Sequence, residues 1–300
     1  MMGTTFGIIV CTQDPQGALQ AMDRAFDRVD ELERVFSDFD PDSEVSVLVR
    51  EGWSDAVSQD LWRVLLEARE WAAVSGGKFD VTAGNLTRLW RHSMRRGTIP
   101  GPEEIAGARG ATGWRLVDIG EGTVQLTGGV RLDFGGIAKG VAADAALETL
   151  REAGFPISLV DAGGDLRLGD SPPDSRGWRV SVPVSTDARE VWLASGVAIA
   201  TSGDNYRNVA HEGVRYSHVL DPDSGMGMTD RRLVTVVATT AAAADAMASA
   251  LSILPLGQGL GLAADHAVAA IIAIHQGETH RVGRSPALAG ASSSGICQNS

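Results

Sequence analysis

Apolar positions along the chain switch between two spacings. Leu19, Met22, Ala25, Phe26, Val29 and Leu32 recur near helical spacing and predict a helix over 16–35. Ser58 followed by Leu61, Leu65, Ala68 and Ala72 predicts a second helix over 58–77, capped by the serine and stopped at Gly76-Gly77. Further helices are expected over 137–153, 240–253 and 256–264. Strand signals fall at 4–11, 114–118, 123–127, 130–134, 157–161, 178–184, 191–201, 214–220, 233–238, 267–274 and 279–283. The stretch 36–46 reads as a polar loop, 77–90 as a turn leading into a mixed segment, and 96–113 as a Gly- and Pro-bearing surface excursion. Strands and helices interleave without regular βαβ units. This predicts the α+β class: a single mixed α/β domain over 1–283, with antiparallel-rich sheets, packed helices and a ligand cleft near the centre. The small, polar tail 284–300 is expected to be disordered.

Composition narrows the function classes. The chain has 300 residues, 44% of them hydrophobic, enough for a globular core with a ligand cleft. A formal net charge of -12 argues against nucleic acid or an anionic membrane as partner, but not against a phosphorylated ligand bridged by a cation. Cys11 and Cys297, the only cysteines, build neither a disulfide framework nor a thiolate metal site. The histidines show no HExxH spacing. No apolar run is long enough to span a membrane, and the N-terminus lacks a basic region before an apolar one. These features predict a cytoplasmic protein without a signal peptide; an upstream start codon would leave export open.

Four segments carry candidate chemistry. In "LDFGGIAKG" (132–140) a strand ends in a carboxylate and runs through two glycines into a helix bearing Lys139. The P-loop and dinucleotide spacings both fail here. An unpaired helix start and an ammonium in one turn still suit an anion, and Asp133 can accept from a ligand. A strand–turn–helix with Lys139 in solvent fits the same residues. In "TTAAAADAMASAL" (239–251) Thr239 or Thr240 can cap a helix that sets Asp245 and Ser249 on one face. Such hard oxygens suit Mg²⁺, though an acid complementing the helix dipole reads equally well. "VDAGGDLRLGD" (160–170) signals a tight hairpin at Gly163-Gly164. In "YSHVLDPDSG" (216–225) His218 sits on a predicted strand and Asp221-Pro222 opens a turn.

In chain order, "MGTTF" (2–6), "FSDFDPDSEVS" (36–46), "GKFDVTAG" (77–84), "DFGGIAKG" (133–140), "DAGGD" (161–165), "ATSGD" (200–204), "SHVLDPDSG" (217–225) and "ADAMAS" (244–249) resemble the FAD:protein FMN transferases of ApbE type over about residues 2–283. The resemblance implies an enzyme that binds FAD with Mg²⁺ and passes its FMN phosphoryl group to a Ser or Thr hydroxyl of an acceptor protein, releasing AMP. It implies Mg²⁺ at Asp245, Ser249 and a backbone carbonyl near Gly136, and phosphate at Lys139. It further implies FAD contacts by Asp133, by Met2 and Phe39 against flat rings, and by the Lys78-Phe79-Asp80 turn at the other end. It makes His218 the base for the acceptor hydroxyl, with Asp245 as the second catalytic residue. This sequence departs from the family where Tyr is often found (Phe39), where Thr is often found (Ser249), and where Glu often occurs within Ala241–Ala244. It also shows no export signal of the kind family members commonly carry. The same machinery with water as acceptor would be an FAD pyrophosphatase, and without turnover a flavin-binding protein.

Overall fold

The computed structural model describes residues 3–186, 188–203, 208–266, 268–276, 279–289 and 296–298. Strand β1 (Phe6–Val10) leads into α1 (Pro15–Phe36), which Asp14 caps by accepting from Gly17 N at 3.0 Å. The buried positions of α1 keep helical spacing but centre on Ala18, Ala21, Ala25, Val29, Leu32 and Phe36; of the predicted stripe, Leu19 is exposed and Met22 and Phe26 are half-buried at its edge. The stretch expected as a polar loop holds a cap: Ser43 Oγ accepts from Ser46 N and starts α2 (Glu44–Glu51). Then come β2 (Trp53–Ser54) and α3 (Gln59–Val74), capped by Ser58. The mixed segment and the surface excursion are both helical, as α4 (Gly84–Arg95) and α5 (Pro102–Gly110). Proline at the first position and the Glu104 side chain, accepting from Gly101 N at 2.8 Å, hold the start of α5.

Strands β3 (Val117–Ile119) and β4 (Val124–Leu126) form a small sheet with β2. Residues 130–134 make no ladder; their pairing is the isolated Ala83–Arg131 bridge and the bond from Asp133 N to Val81 O, and Val130, Leu132 and Phe134 are buried in the core. Helix α6 (Ala138–Glu152) precedes β5 (Ser158–Ala162), β6 (Asp165–Leu168), β7 (Trp178–Pro183), β8 (Arg189–Ala194) and β9 (Ala198–Gly203). The single strand predicted over 191–201 is thus two, parted by Gly196 at φ 66°. Next are β10 (Asn208–His211), β11 (Val214–Ser217), β12 (Leu220–Asp221), β13 (Met226–Gly227) and β14 (Arg231–Ala238). The chain continues through α7 (Ala241–Leu251), α8 (Leu256–Asp265), β15 (Ala269–Gln276) and β16 (Thr279–Arg284). In the tail expected to be disordered, Pro286–Ala289 form α9 and Ile296–Gln298 form β17, which pairs with β8. Burial of Leu288 gives that part of the tail an anchor in the core.

The main sheet has the order β1-β5-β6-β9-β14-β15-β16, and every neighbouring pair is antiparallel. Both faces are covered. Val160, Ala198, Ala200, Val236 and Ile272 face the helical core, in which α6 packs between α1 and α7. Leu159, Ile199, Val237 and Ile271 face a second core containing Trp178 and Trp192 of β7 and β8. Burial of both faces explains why β14 and β15 read as continuous apolar runs rather than as alternation. The β5–β6 hairpin turns on Gly163 and Gly164, at φ 67° and 99°, as the two-residue turn predicted there requires.

Candidate functional site

That hairpin delivers Asp165 to the first position of β6, facing the start of α6. Lys139 Nζ donates to Asp165 Oδ2 and lies 3.3 and 3.4 Å from the two carboxylate oxygens of Asp245. Thr201 N donates to the other oxygen of Asp165 at 3.0 Å. The two carboxylate side chains are 5% and 8% exposed, and Lys139 28%. Burial pushes Asp245 up to about 6; the Lys139 ammonium opposes this and Asp165 adds to it. Burial works against the charge on Lys139, but Asp245 and Asp165 outweigh it and hold the ammonium above the ordinary lysine range. Lys139 is thus engaged by two carboxylates rather than pointing to solvent.

Ser249 follows Asp245 by one turn of α7, and Gly136 reaches it: a Cβ on Gly136 would stand 2.8 Å from Ser249 Oγ and 3.4 Å from the Phe79 ring. Gly136, Asp245 and Ser249 therefore converge, with Phe79 at their edge. Among the described residues no group of three His, Cys, Asp or Glu side chains forms a metal cluster. The oxygens gathered here come instead from one carboxylate, one hydroxyl and backbone.

Phe79 continues the site outward. Its own N–H donates to Ser75 Oγ at 3.0 Å, and Val81 O accepts from Asp133 N at 2.8 Å, so this segment runs alongside the Asp133–Gly136 loop. Asp80 Oδ1 accepts from Thr82 N and Oγ1 at 2.8 and 2.7 Å, while burial raises its pKa against those bonds. Lys78 Nζ donates to Asp221 and Asp223, both at 2.7 Å. The turn carrying those aspartates is held by Trp90 Nε1, which donates to Gly225 O at 2.8 Å. Gly77 and Asp80 border a cavity of ≈ 490 Å³, with Arg109, Arg115 and Asp223 on its walls.

On the other side of Asp133 is a second cluster. Arg91, on α4, donates to Asp133 Oδ2 at 3.0 Å and to Asp38, and its guanidinium carbon stands 4.6 Å over the Phe39 ring. Gly135 N donates to the remaining oxygen of Asp133 at 2.9 Å. Burial and the facing Asp133 push Asp38 up against the pull of Arg91. Phe39 is 75% exposed, so one ring face rests on Arg91 and much of the rest is open.

The structure brings Phe79, Lys139, Asp245, Ser249 and Gly136 together, with Asp80 and Lys78 on one flank and Asp133 and Phe39 on the other. His218 is exposed and stands at the bend directly after β11, not within a strand as the sequence suggested, because β11 ends at Ser217. Met2 lies outside the described residues. Sequence reasoning missed Arg91 and the role of Asp165. The DAGGD motif contained Asp165, yet its turn signal concealed the carboxylate's use; nothing local marks Arg91.

The ApbE family model matches residues 2–272. A FAD:protein FMN transferase of Vibrio cholerae is 32% identical over 274 residues, spanning 87% of this chain and 82% of that relative. One of Chlamydia trachomatis is 32% identical over 257 residues, spanning 82% and 79%. Among solved structures, the flavin transferase ApbE from Vibrio cholerae superposes with TM-score 0.85 at 28% identity, covering 97% of this chain and 96% of the other. The apo form of the Pseudomonas stutzeri flavinyl transferase ApbE gives TM-score 0.88 at 26% identity, covering 97% and 94%.

Proposed function

The chain belongs to the ApbE family and is an enzyme that transfers flavin from FAD to a target protein, and we propose that it moves the FMN phosphoryl group onto a Ser or Thr hydroxyl with Mg²⁺ bound. The observation that carries this reading is the pair of buried carboxylates sharing one ammonium. Asp165 and Asp245 leave one negative charge uncompensated beside the hydroxyl of Ser249. Hard oxygen donors with excess negative charge fit Mg²⁺. Asp245, Ser249 and the backbone at Gly136 would hold it, and when bound it would supply positive charge to the pyrophosphate oxygens.

The protein's own groups do the rest. The positive end of the α6 dipole, which no side chain caps, would face phosphate, with the Lys139 ammonium between Asp245 and Asp165 beside it. Asp133, fixed by Arg91 and Gly135, accepts from the ligand. One flat ring of FAD would lie on Phe39, and the other end would enter the cavity beside the Lys78–Asp80 turn. The acceptor hydroxyl attacks the FMN phosphorus in line, the bond to the AMP oxygen breaks, and His218 takes the hydroxyl proton. Little covalent work falls to the enzyme: positioning and charge do most of it.

The experiment is mass spectrometry of a protein carrying an exposed Ser/Thr flavinylation sequence, mixed with this enzyme, FAD and Mg²⁺. The acceptor gains the mass of FMN, and His218→Ala slows that gain with FAD binding largely intact. Free FMN and AMP accumulating over several unmodified acceptors would establish hydrolysis instead. Among the described residues no helix is long and apolar enough to cross a membrane. The net charge supports a small-molecule and protein partnership rather than nucleic acid.

A further inference from the structure

Helix α7 carries Asp245 and Ser249, and its start is held from elsewhere in the fold. The N–H groups of Ala241 and Ala242 donate to the two carboxylate oxygens of Asp144, each at 3.0 Å. Thr240 accounts for the next two donors: its Oγ1 accepts from Ala243 N at 3.2 Å and its carbonyl from Ala244 N at 3.1 Å. The N–H groups of the first three residues of the helix are therefore satisfied from outside its backbone ladder, which begins at Ala244. Its first turn contains no acid, so the charge that complements its dipole comes from Asp144.

Asp144 belongs to α6, the helix of Lys139. Its Oδ1 also accepts from Arg167 Nε at 2.7 Å, and Arg167 lies on β6, two residues after Asp165. The Asp144–Arg167 pair thus ties together the three elements that supply Lys139, Asp165 and Asp245. Gly140, one turn before Asp144, brings the helices into backbone contact: a Cβ there would fall 2.2 Å from Ala241 O. A helix seated this closely and capped in this way has a fixed height and rotation, and both pass to the side chains one and two turns along it.

We propose that Asp144, braced by Arg167, is a positioning residue that sets Asp245 and Ser249 for Mg²⁺. It touches the helix start and not the substrate. The inference rests on the reading that Asp245 and Ser249 hold Mg²⁺. Mg²⁺ tolerates little departure from octahedral geometry, so a small shift of α7 weakens binding more than it weakens the fold. The absence of glutamate within Ala241–Ala244 is then no gap, because the acid that serves this helix end is provided by α6.

The test uses the full-length enzyme, Asp144→Asn, and Thr240→Ala as a control that removes a cap bond at the same helix end without touching the tie to α6. Melting temperature is followed against Mg²⁺ alone, and flavin transfer against Mg²⁺ with FAD and acceptor. Asp144→Asn should raise the Mg²⁺ concentration for half-maximal stabilisation about 10- to 100-fold, the range for partners that orient metal ligands, and shift transfer equally. Saturating Mg²⁺ should restore much of its rate. Thr240→Ala should lower the melting temperature and leave the Mg²⁺ half-point unchanged. If Asp144→Asn behaves as Thr240→Ala does, Asp144 is only a cap and the proposal is overturned. Should Asp144→Asn fail to fold, Arg167→Met, which removes the brace and keeps the cap, is judged by the same half-point. A wild-type enzyme indifferent to Mg²⁺ in both measurements would overturn the metal reading itself, an outcome distinct from an unshifted variant.

Discussion

Lys78 and Lys139 each hold two aspartates, Asp221 with Asp223 and Asp165 with Asp245. In the first cluster the side chains are 20%, 21% and 70% exposed. In the second the carboxylates are 5% and 8% exposed. Both carry the same formal charge, yet they respond in opposite directions. Burial alone would raise Asp221, but Lys78 and the turn donors overcome it and hold Asp221 below the usual carboxylate range. At the buried cluster burial wins, and Asp245 rises to about 6. The two lysines are similarly exposed, but water screens the surplus charge at Asp223 and scarcely reaches Asp165 and Asp245. A surplus that solvent screens poorly is what a bound cation would relieve, which is the reading proposed for the Lys139 cluster and not for the Lys78 one.

The comparison can be broken most directly at Asp245. Asp245→Ala should lower Mg²⁺-dependent flavin transfer by about 10³-fold, the scale of removing a group that manages transition-state charge, while circular dichroism keeps the wild-type fold. An unchanged rate at matched Mg²⁺ would remove the chemistry from this cluster. Next in size is Lys139→Met. Leaving both buried carboxylates unpaired should cost about 3–5 kcal/mol in urea unfolding without metal, and added Mg²⁺ should recover part of the loss.

The pH dependence sharpens the same contrast. Asp245 ionises near 6 in the fold, against about 3.9 in an unfolded chain. A raised pKa contributes stability that is complete below the unfolded value and is lost as pH rises through the folded one. Metal-free wild type should therefore lose roughly 2–3 kcal/mol relative to Asp245→Asn between about pH 4 and pH 7. Mg²⁺ should flatten that difference, and parallel curves without metal would contradict it. The smallest effect belongs to Lys78→Met, no more than about 1 kcal/mol at neutral pH. Because the Asp221 pKa is depressed, that contribution exists above its unfolded pKa and vanishes as acid protonates Asp221. Wild type and Lys78→Met should converge in acid melts.

Much of this arrangement was legible before the fold. The helices carrying Lys139 and Asp245 were expected near their observed bounds, the second with its threonine cap, and the Gly163-Gly164 turn reads directly. The antiparallel-rich, mixed α/β character followed from the irregular order of elements. What failed was local context that looked polar or mixed: α2 hides behind a serine cap in a loop-like stretch, and α5 is short and interrupted by Gly107. Residues 130–134 have strand composition but make only one isolated bridge, at Ala83, and no ladder. The site's missing members share a different cause. Arg91 meets Asp133 across 42 residues, and Lys139 meets Asp165 across 26, so their pairing exists only in the folded chain.

The 106 residues between Lys139 and Asp245 also order events in time. Helix α6 and the β5–β6 hairpin rest on local contacts, whereas Asp245 and Ser249 reach the site through α7, which lies against Gly140. Contacts that distant close late, because a long loop must be ordered before they are made. A refolding chain should therefore recover helical signal before it recovers any response to Mg²⁺, a lag that stopped-flow refolding with and without the ion reads directly. A ribosome-bound chain ending short of residue 245 has Lys139 but lacks the carboxylate and hydroxyl proposed to hold the ion.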